Sequence, residues 1–116
     1  MWLFLYIMYM KPITDWTDDT QRHRFYNSKA WKDLRTLQLS NEPLCRTCMR
    51  NGTYKQAVDV DHIIDIVVDP LLRLEISNLQ SLCRNCHSQK TYKSVQSKIE
   101  ESREKRKIKP VTKWKT

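Results

Sequence analysis

The chain has 116 residues, which suits one small domain with extensions and lies near the lower limit for a self-sufficient hydrophobic core. A single glycine and a charged fraction of 29% argue against a flexible linker protein and against a glycine-rich nucleotide-binding loop. The formal net charge of +8 indicates a polyanionic partner, nucleic acid before a membrane surface, although a merely soluble basic protein would share it.

Residues 1–10 are almost wholly apolar. They are too few to span a bilayer, which takes about 20 residues. No basic residue precedes them and no small-residue cleavage site follows them, which argues against a signal peptide. A core strand or helix, a weak interfacial anchor and an upstream translated extension, with later starts at Met8 or Met10, stay open. We favour an extension or a peripheral packing role and assign the segment no chemistry.

The next stretch predicts no regular structure. Residues 12–21 are polar and rich in Thr and Asp, which favours an irregular lead-in. Residues 22–26 are basic with aromatics, which we interpret as a solvated basic stretch, while His23 could instead contact phosphate.

Residues 28–39 predict a helix, because Asn27 or Ser28 can cap its start and apolar residues recur at helical spacing. Pro43 disfavours helical geometry in the residue before it and marks the end. We expect the helix to pack on the rest of the domain through Trp31, Leu34 and Leu37, with Gln38 near the edge of this stripe. Its basic residues could also face a phosphate backbone; they are Lys29, Lys32 and Arg35.

A hairpin-like segment follows the turn at Asn51-Gly52, where the only glycine suits a positive φ. Residues 58–64 predict a strand with Asp59 and Asp61 on one face, and residues 79–82 predict the returning strand. The connection over 65–77 is long for a simple hairpin and indicates a packed, functional loop.

From Arg84 onward the pattern is helical, with a narrow apolar stripe at Tyr92, Val95 and Ile99 that could pack internally or against a second copy. Residues 100–116 form a basic tail in which Pro110 ends any helix.

Two Cys-x-x-Cys pairs are the strongest chemical signal. Disulfides and a redox motif are the alternatives, but matched pairs without a secretory signal are typical of metal ligands. Four thiolates form a soft tetrahedral set that suits zinc and leaves no open position, so the site is predicted to be structural. Its ligands would be Cys45, Cys48, Cys83 and Cys86.

A second set combines oxygen and nitrogen donors. Asp61 and His87 would leave several positions of a divalent ion open for phosphate and water, and His87 would lie near a helix N-terminus. His62 can accept a proton from water near neutral pH, and Asn78 would hydrogen-bond backbone and hold the long loop against His62. Because adjacent strand residues point to opposite faces, the strand must end, twist or bulge at Asp61-His62.

These residues resemble the HNH endonuclease family, and within it the small zinc-containing enzymes of tailed bacteriophages and prophages. Motif identity, order and spacing agree over about residues 24–91. The matching segments are Asp61-His62-Ile63, Asn78-Leu79-Gln80-Ser81-Leu82-Cys83 and Cys86-His87, with Phe25-Tyr26-Asn27-Ser28-Lys29-Ala30-Trp31, Ala57-Val58-Asp59-Val60-Asp61-His62 and Lys90-Thr91 for the subgroup. Asp65 stands where relatives often carry proline, which we expect to matter little.

The resemblance implies an α+β fold, a ββα-metal core with a four-cysteine zinc site and flanking helices, in which residues 22–99 form the nuclease domain. It implies that His62 is the general base, that Asp61 and His87 bind Mg²⁺, Mn²⁺ or another divalent ion, and that Asn78 orients the loop. The substrate would be double-stranded DNA, cut to 5′-phosphate and 3′-hydroxyl ends, in the cytoplasm of a bacterial host.

The resemblance also implies a role in phage genome packaging, with terminase or portal as partners, and a monomer or homodimer without a membrane. A non-catalytic zinc module that binds DNA or a packaging partner is the alternative, which the intact Asp61, His62, Asn78 and His87 disfavour. A restriction or homing enzyme would need a large specificity domain, and a membrane-surface role is remote.

Overall fold

The computed structural model describes residues 12–107. Its regular elements are helices α1 (Asp19–Tyr26), α2 (Lys29–Asn41), α3 (Arg46–Arg50) and α4 (Arg84–Lys107), and strands β1 (Asp59–His62) and β2 (Leu79–Leu82). Two short 3-10 turns, Pro70–Leu72 and Ile76–Asn78, lie in the connection between the strands. Two strands followed by a helix, with further helices packed beside them, confirm the predicted α+β fold class.

The two strands form an antiparallel ribbon in which Asp59 pairs with Leu82 and His62 with Leu79. Backbone hydrogen bonds extend the pairing beyond both ends: Val58 N donates to Leu82 O at 3.0 Å, and Ile63 N donates to Asn78 O at 2.7 Å. The predicted return strand is confirmed, while the first strand is shorter than the predicted 58–64. Because the strand ends at His62, the chain is free to turn away directly after the predicted site.

The main core lies between α1, α2 and the ribbon. Its buried members are Phe25, Trp31, Ile66 and Leu79, and Phe25 and Trp31 lie 5.5 Å apart between ring centroids. Partly buried side chains pack around them, including two from the lead-in; they are Ile13, Trp16, Leu34, Val60 and Val67. Ile66 brings the long interstrand connection into this core, as its predicted packing requires.

Helix α1 corrects one expectation. Residues 19–26 were expected to be part of an irregular lead-in and a solvated basic stretch, but they form a helix. The Asp18 side chain caps its first turn by accepting hydrogen bonds from Thr20 N and Gln21 N. Phe25 is buried, while His23 is exposed as expected. The helix has one buried residue, so its apolar pattern was too weak to be recognised, although Asp18 followed by Asp19 is a helix-start signal.

Helix α2 forms as predicted, with the Ser28 side chain accepting from Trp31 N. Trp31 is buried, but Leu37, expected in the same apolar stripe, is 49% exposed, and Gln38 takes its place in the interior. Gln38 Nε2 donates to Ser81 Oγ at 3.3 Å, and Glu42 Oε1 accepts from Ser81 N at 2.7 Å. These bonds fix α2 across the buried face of β2.

Helix α4 begins at Arg84 as predicted and continues to Lys107, across the expected start of the basic tail. The stripe of Tyr92, Val95 and Ile99 is exposed, so it does not pack internally against the part of the chain that the structure describes. Residues 1–11 and Pro110 lie outside the described residues, with the expectations placed on them. No helix between residues 12 and 107 is long and apolar enough to cross a membrane.

Candidate active site and cysteine cluster

The two Cys-x-x-Cys pairs meet at one point. Cys45 caps α3, and Cys83 precedes α4, so each pair wraps the first turn of a helix. All four sulfurs lie within 4.8 Å of one another, and Cys48 Sγ is 3.9 Å from Cys83 Sγ and 3.7 Å from Cys86 Sγ. Four sulfurs bound at about 2.3 Å around a tetrahedral zinc would lie about 3.8 Å apart. The cluster therefore has the size of a four-thiolate metal site.

The thiols ionise unequally because they are crowded together. Burial opposes ionisation of Cys45, but backbone and thiol hydrogen bonds outweigh it and lower the pKa of Cys45 to about 6. Burial and the neighbouring thiols raise the pKa of Cys86 to about 12, and the hydrogen bond with Cys45 raises the pKa of Cys48. A cluster that resists carrying several negative charges at once requires a bound cation to become a set of thiolates.

Asp61, on β1, faces His87, on α4. His87 Nε2 lies 3.7 Å from Asp61 Oδ1, too far for a hydrogen bond, while Asp61 Oδ2 accepts from Gln80 Nε2 at 2.9 Å and pairs with Lys90. Two ligands of one Mg²⁺-sized ion lie about 3 Å apart, so a small side-chain adjustment would suffice. One nitrogen and one carboxylate oxygen thus fit a divalent ion with open positions.

His62 lies on the opposite side of β1 and is held from two directions. Its ring stacks on Trp31, with centroids 4.9 Å apart and an interplanar angle of 23°. Its Nε2 lies 2.9 Å from the Arg73 carbonyl oxygen. A carbonyl only accepts, so Nε2 carries the hydrogen, and the lone pair of the neutral ring is on Nδ1. Nδ1 is the atom that can take a proton.

Asn78 is buried, and its side chain joins the end of the interstrand connection to its start through hydrogen bonds. Its Oδ1 accepts from Ile64 N at 2.8 Å, and its Nδ2 donates to Ile64 O at 3.1 Å and to Leu72 O at 3.4 Å. The segment that these bonds close carries Arg73, whose carbonyl orients His62. The expected backbone hydrogen bonds of Asn78 are therefore present in the structure.

Three of the four predicted site residues, Asp61, His62 and His87, line one groove, whose walls also include Tyr26, Trp31 and Arg35. Asn78 is buried and is not part of these walls. Burial, followed by the charges of Asp65 and Asp61, raises the pKa of Tyr26, so its hydroxyl keeps its proton. The basic face of α2 is partly engaged: Arg35 Nη2 donates to Val58 O at 2.8 Å, and Lys29 pairs with Asp33.

Sequence reasoning assigned no chemistry to Asp59 and Lys90. Asp59 Oδ2 lies 3.2 Å from His87 Nδ1, and the Lys90 ammonium donates to His62 O at 2.7 Å beside its ion pair with Asp61. The signal was available: Asp59 and Asp61 alternate on one strand face, and His87 and Lys90 are three residues apart on a helix.

Comparison with known proteins agrees with this geometry. A family model described as HNH endonuclease matches residues 45–93. The chain is 32% identical over 79 residues to a protein of Lactococcus phage SK1 named "Probable HNH endonuclease", covering 64% of this chain and 82% of that protein. It also matches the crystal structure of the HNH endonuclease of deep-sea thermophilic bacteriophage GVE2 with manganese ion, at 38% identity and a TM-score of 0.64, over 68% of this chain and 87% of that one.

Proposed function

Because this chain belongs to the HNH endonuclease family and is a metal-dependent, DNA-cleaving hydrolase, we propose that its active site consists of Asp61, His62, Asn78 and His87. One observation carries the proposal: the hydrogen bond from His62 Nε2 to the Arg73 carbonyl leaves Nδ1 as the proton acceptor on the strand that also carries Asp61. His62 is the general base, and the substrate is double-stranded DNA.

The reaction is hydrolysis of a phosphodiester bond. Asp61 and His87 would hold a divalent ion, Mg²⁺ or Mn²⁺, which when bound would stabilise negative charge on the phosphate and on the departing 3′ oxygen. His62 Nδ1 takes a proton from a water molecule, the water oxygen bonds to phosphorus, and the bond from phosphorus to the 3′ oxygen breaks. The products are a 5′-phosphate and, once the 3′ oxygen gains a proton, a 3′-hydroxyl.

Other residues position the general base without contacting the reacting atoms. Trp31 and the Arg73 carbonyl fix the plane of the His62 ring. Asn78 ties Ile64 to Leu72 and so holds the segment that carries Arg73. The basic residues behind the net charge of +8 bind the DNA backbone without regard to base sequence, and such binding weakens steeply as the salt concentration rises. At low enzyme concentration the cleavage rate should therefore fall with added salt.

The four thiolates would hold zinc in a structural role. The distances between their sulfurs support a tetrahedral ion, and four protein ligands leave no position for water or substrate. Cys45 and Cys48 would be linked to Cys83 and Cys86 through the ion, and this link would fix the start of α4 and, with it, His87.

The decisive experiment is cleavage of supercoiled plasmid by zinc-loaded protein with Mg²⁺, Mn²⁺ or EDTA. We expect nicking that needs the divalent ion and that falls by at least about 100-fold in His62→Ala, consistent with loss of a general base. His23→Ala, an exposed histidine on α1, is the matched control and should keep near-wild-type nicking. Absence of cleavage by folded wild type with every ion would favour the non-catalytic DNA-binding module.

We further propose that the enzyme acts in phage genome packaging with terminase as partner, in the cytoplasm of a bacterial host. Both relatives reported above are phage proteins, which supports this setting. Purified terminase should bind the His62→Ala variant and should raise the nicking rate of the wild type. Lack of both effects would remove the packaging role while leaving the nuclease intact.

A further inference from the structure

The faces of β1 and α4 that meet beside the active site form a ladder of alternating charge. Along the ladder the order is Arg84, Asp59, His87, Asp61 and Lys90, with the carboxylates from the strand and the other residues from the helix. His87 thus lies between two carboxylates, and each of its ring nitrogens faces one of them. The two contacts differ, and the difference assigns a role to each carboxylate.

The contact on Nδ1 is a hydrogen bond, and the contact on Nε2 is not. Asp59 Oδ2 lies 3.2 Å from Nδ1, whereas Asp61 Oδ1 lies 3.7 Å from Nε2. A carboxylate only accepts, so Nδ1 carries the hydrogen, and the lone pair of the neutral ring lies on Nε2, facing Asp61. Because the two nitrogens of an imidazole point away from each other, Asp59 is not placed to share an ion on Nε2.

We propose that Asp59 is the positioning residue of the catalytic metal site: it fixes the tautomer and the rotation of His87 so that Nε2 presents its lone pair to the ion. A carboxylate that accepts from the free N–H of a metal-bound histidine also makes that histidine a better ligand. The Asp59 side chain is 17% exposed, and the Oδ2 atom that contacts His87 also forms an ion pair with Arg84 Nε at 3.0 Å.

This inference rests on the proposed function, because it requires His87 and Asp61 to bind the ion. The first readout is the affinity of zinc-loaded protein for Mn²⁺, measured by titration calorimetry and by the signal of free Mn²⁺ in electron paramagnetic resonance. Asp59→Ala should weaken Mn²⁺ binding by about 10- to 100-fold. Asp59→Asn, which keeps an acceptor but loses the charge, should weaken it by about three- to tenfold.

Three variants separate this effect from general damage. Arg84→Met removes the other partner of Asp59 and leaves His87 untouched, so its Mn²⁺ affinity should stay within about threefold of wild type, as for an exposed ion pair. At saturating Mn²⁺, Asp59→Asn should recover most of the wild-type kcat, because the positioned ligand, not the chemistry, is altered. His87→Ala should lose Mn²⁺ binding altogether.

The second readout is the tautomer of the His87 ring. Nitrogen-15 NMR of zinc-loaded wild type without Mg²⁺ or Mn²⁺ should show His87 with its hydrogen on Nδ1, and Asp59→Ala should shift it toward the Nε2–H tautomer. An Nε2–H tautomer in wild type, or wild-type Mn²⁺ affinity in both Asp59 variants, would overturn the inference and leave the proposed function standing. Wild-type Mn²⁺ affinity in His87→Ala and Asp61→Ala would instead refute the proposed ion site, and the inference with it.

Discussion

The Asn78→Ala substitution tests whether the interstrand connection positions the general base. It removes two well-formed hydrogen bonds to Ile64 and a longer one to Leu72 O. Each ordinary bond contributes about 1 kcal/mol, and a buried group left without a partner costs about 1–3 kcal/mol. The free energy of unfolding should therefore fall by about 2–4 kcal/mol. Because Arg73 then loses its fixed position, nicking kcat should fall by about 100-fold, the cost of misplacing a catalytic group by about 1 Å.

Urea denaturation and single-turnover nicking measure the two effects, and Mn²⁺ affinity supplies the internal reference. Asp61 and His87 lie on β1 and α4, outside the closed segment, so their ion affinity should change by less than about threefold. Asn41→Ala, an exposed asparagine at the end of α2, is the matched control and should change stability by less than about 0.5 kcal/mol. Normal kcat in an Asn78→Ala protein destabilised as expected would refute the link from Asn78 to His62.

Three further outcomes follow from the same contacts. Removal of zinc by a strong chelator, or Cys83→Ser, should abolish the cooperative unfolding transition, because a structural four-thiolate site contributes roughly 10 kcal/mol or more to the free energy of folding. A metal-free protein that circular dichroism shows to be folded would contradict this. Lys90→Met removes a cation bound to Asp61 and should tighten Mn²⁺ binding by about three- to tenfold; weaker binding would show that Lys90 mainly orders the carboxylate. Trp31→Ala should cost about 3–5 kcal/mol, whereas Leu37→Ala on the exposed side of α2 should cost less than about 1 kcal/mol, and equal losses in urea denaturation would refute the assigned burial.

The sequence predicted the elements whose signals are local. Ser28 supplies the cap of α2, Gly52 takes the expected positive φ of 81°, and the strand over 79–82 has the predicted bounds. The cysteine spacing predicted a cluster that the structure contains. In each case the determinant is a short-range property, such as a cap, a turn or a two-residue spacing, that needs no knowledge of the rest of the fold.

Features that depend on tertiary contacts were harder to predict. Helix α1 buries Phe25 against Trp16 and Trp31, but its other residues are mostly polar, so it has no apolar stripe to detect. In α2, the interior position went to Gln38 instead of Leu37, because Ser81 and Glu42 offer Gln38 hydrogen-bond partners. The spacing of the apolar residues places Gln38 near the stripe, but it does not show that Gln38 is buried, because that depends on a partner, Ser81, 43 positions away.

Successive side chains of β1 point to opposite faces, which explains how neighbouring residues reach one site from different sides of the strand. Asp59 and Asp61 face α4, while Val60 and His62 face Trp31 and the main core. The strand ends at His62, so the two sides open into one groove there. The proposed ion ligand His87 is therefore held by the cysteine cluster through α4, and the proposed general base His62 is held by the core through α2. Asp59→Ala should first disturb His87 and so weaken Mn²⁺ binding, whereas a core substitution such as Trp31→Ala should first disturb His62 and so lower kcat. Mn²⁺ affinity measured beside kcat separates the two.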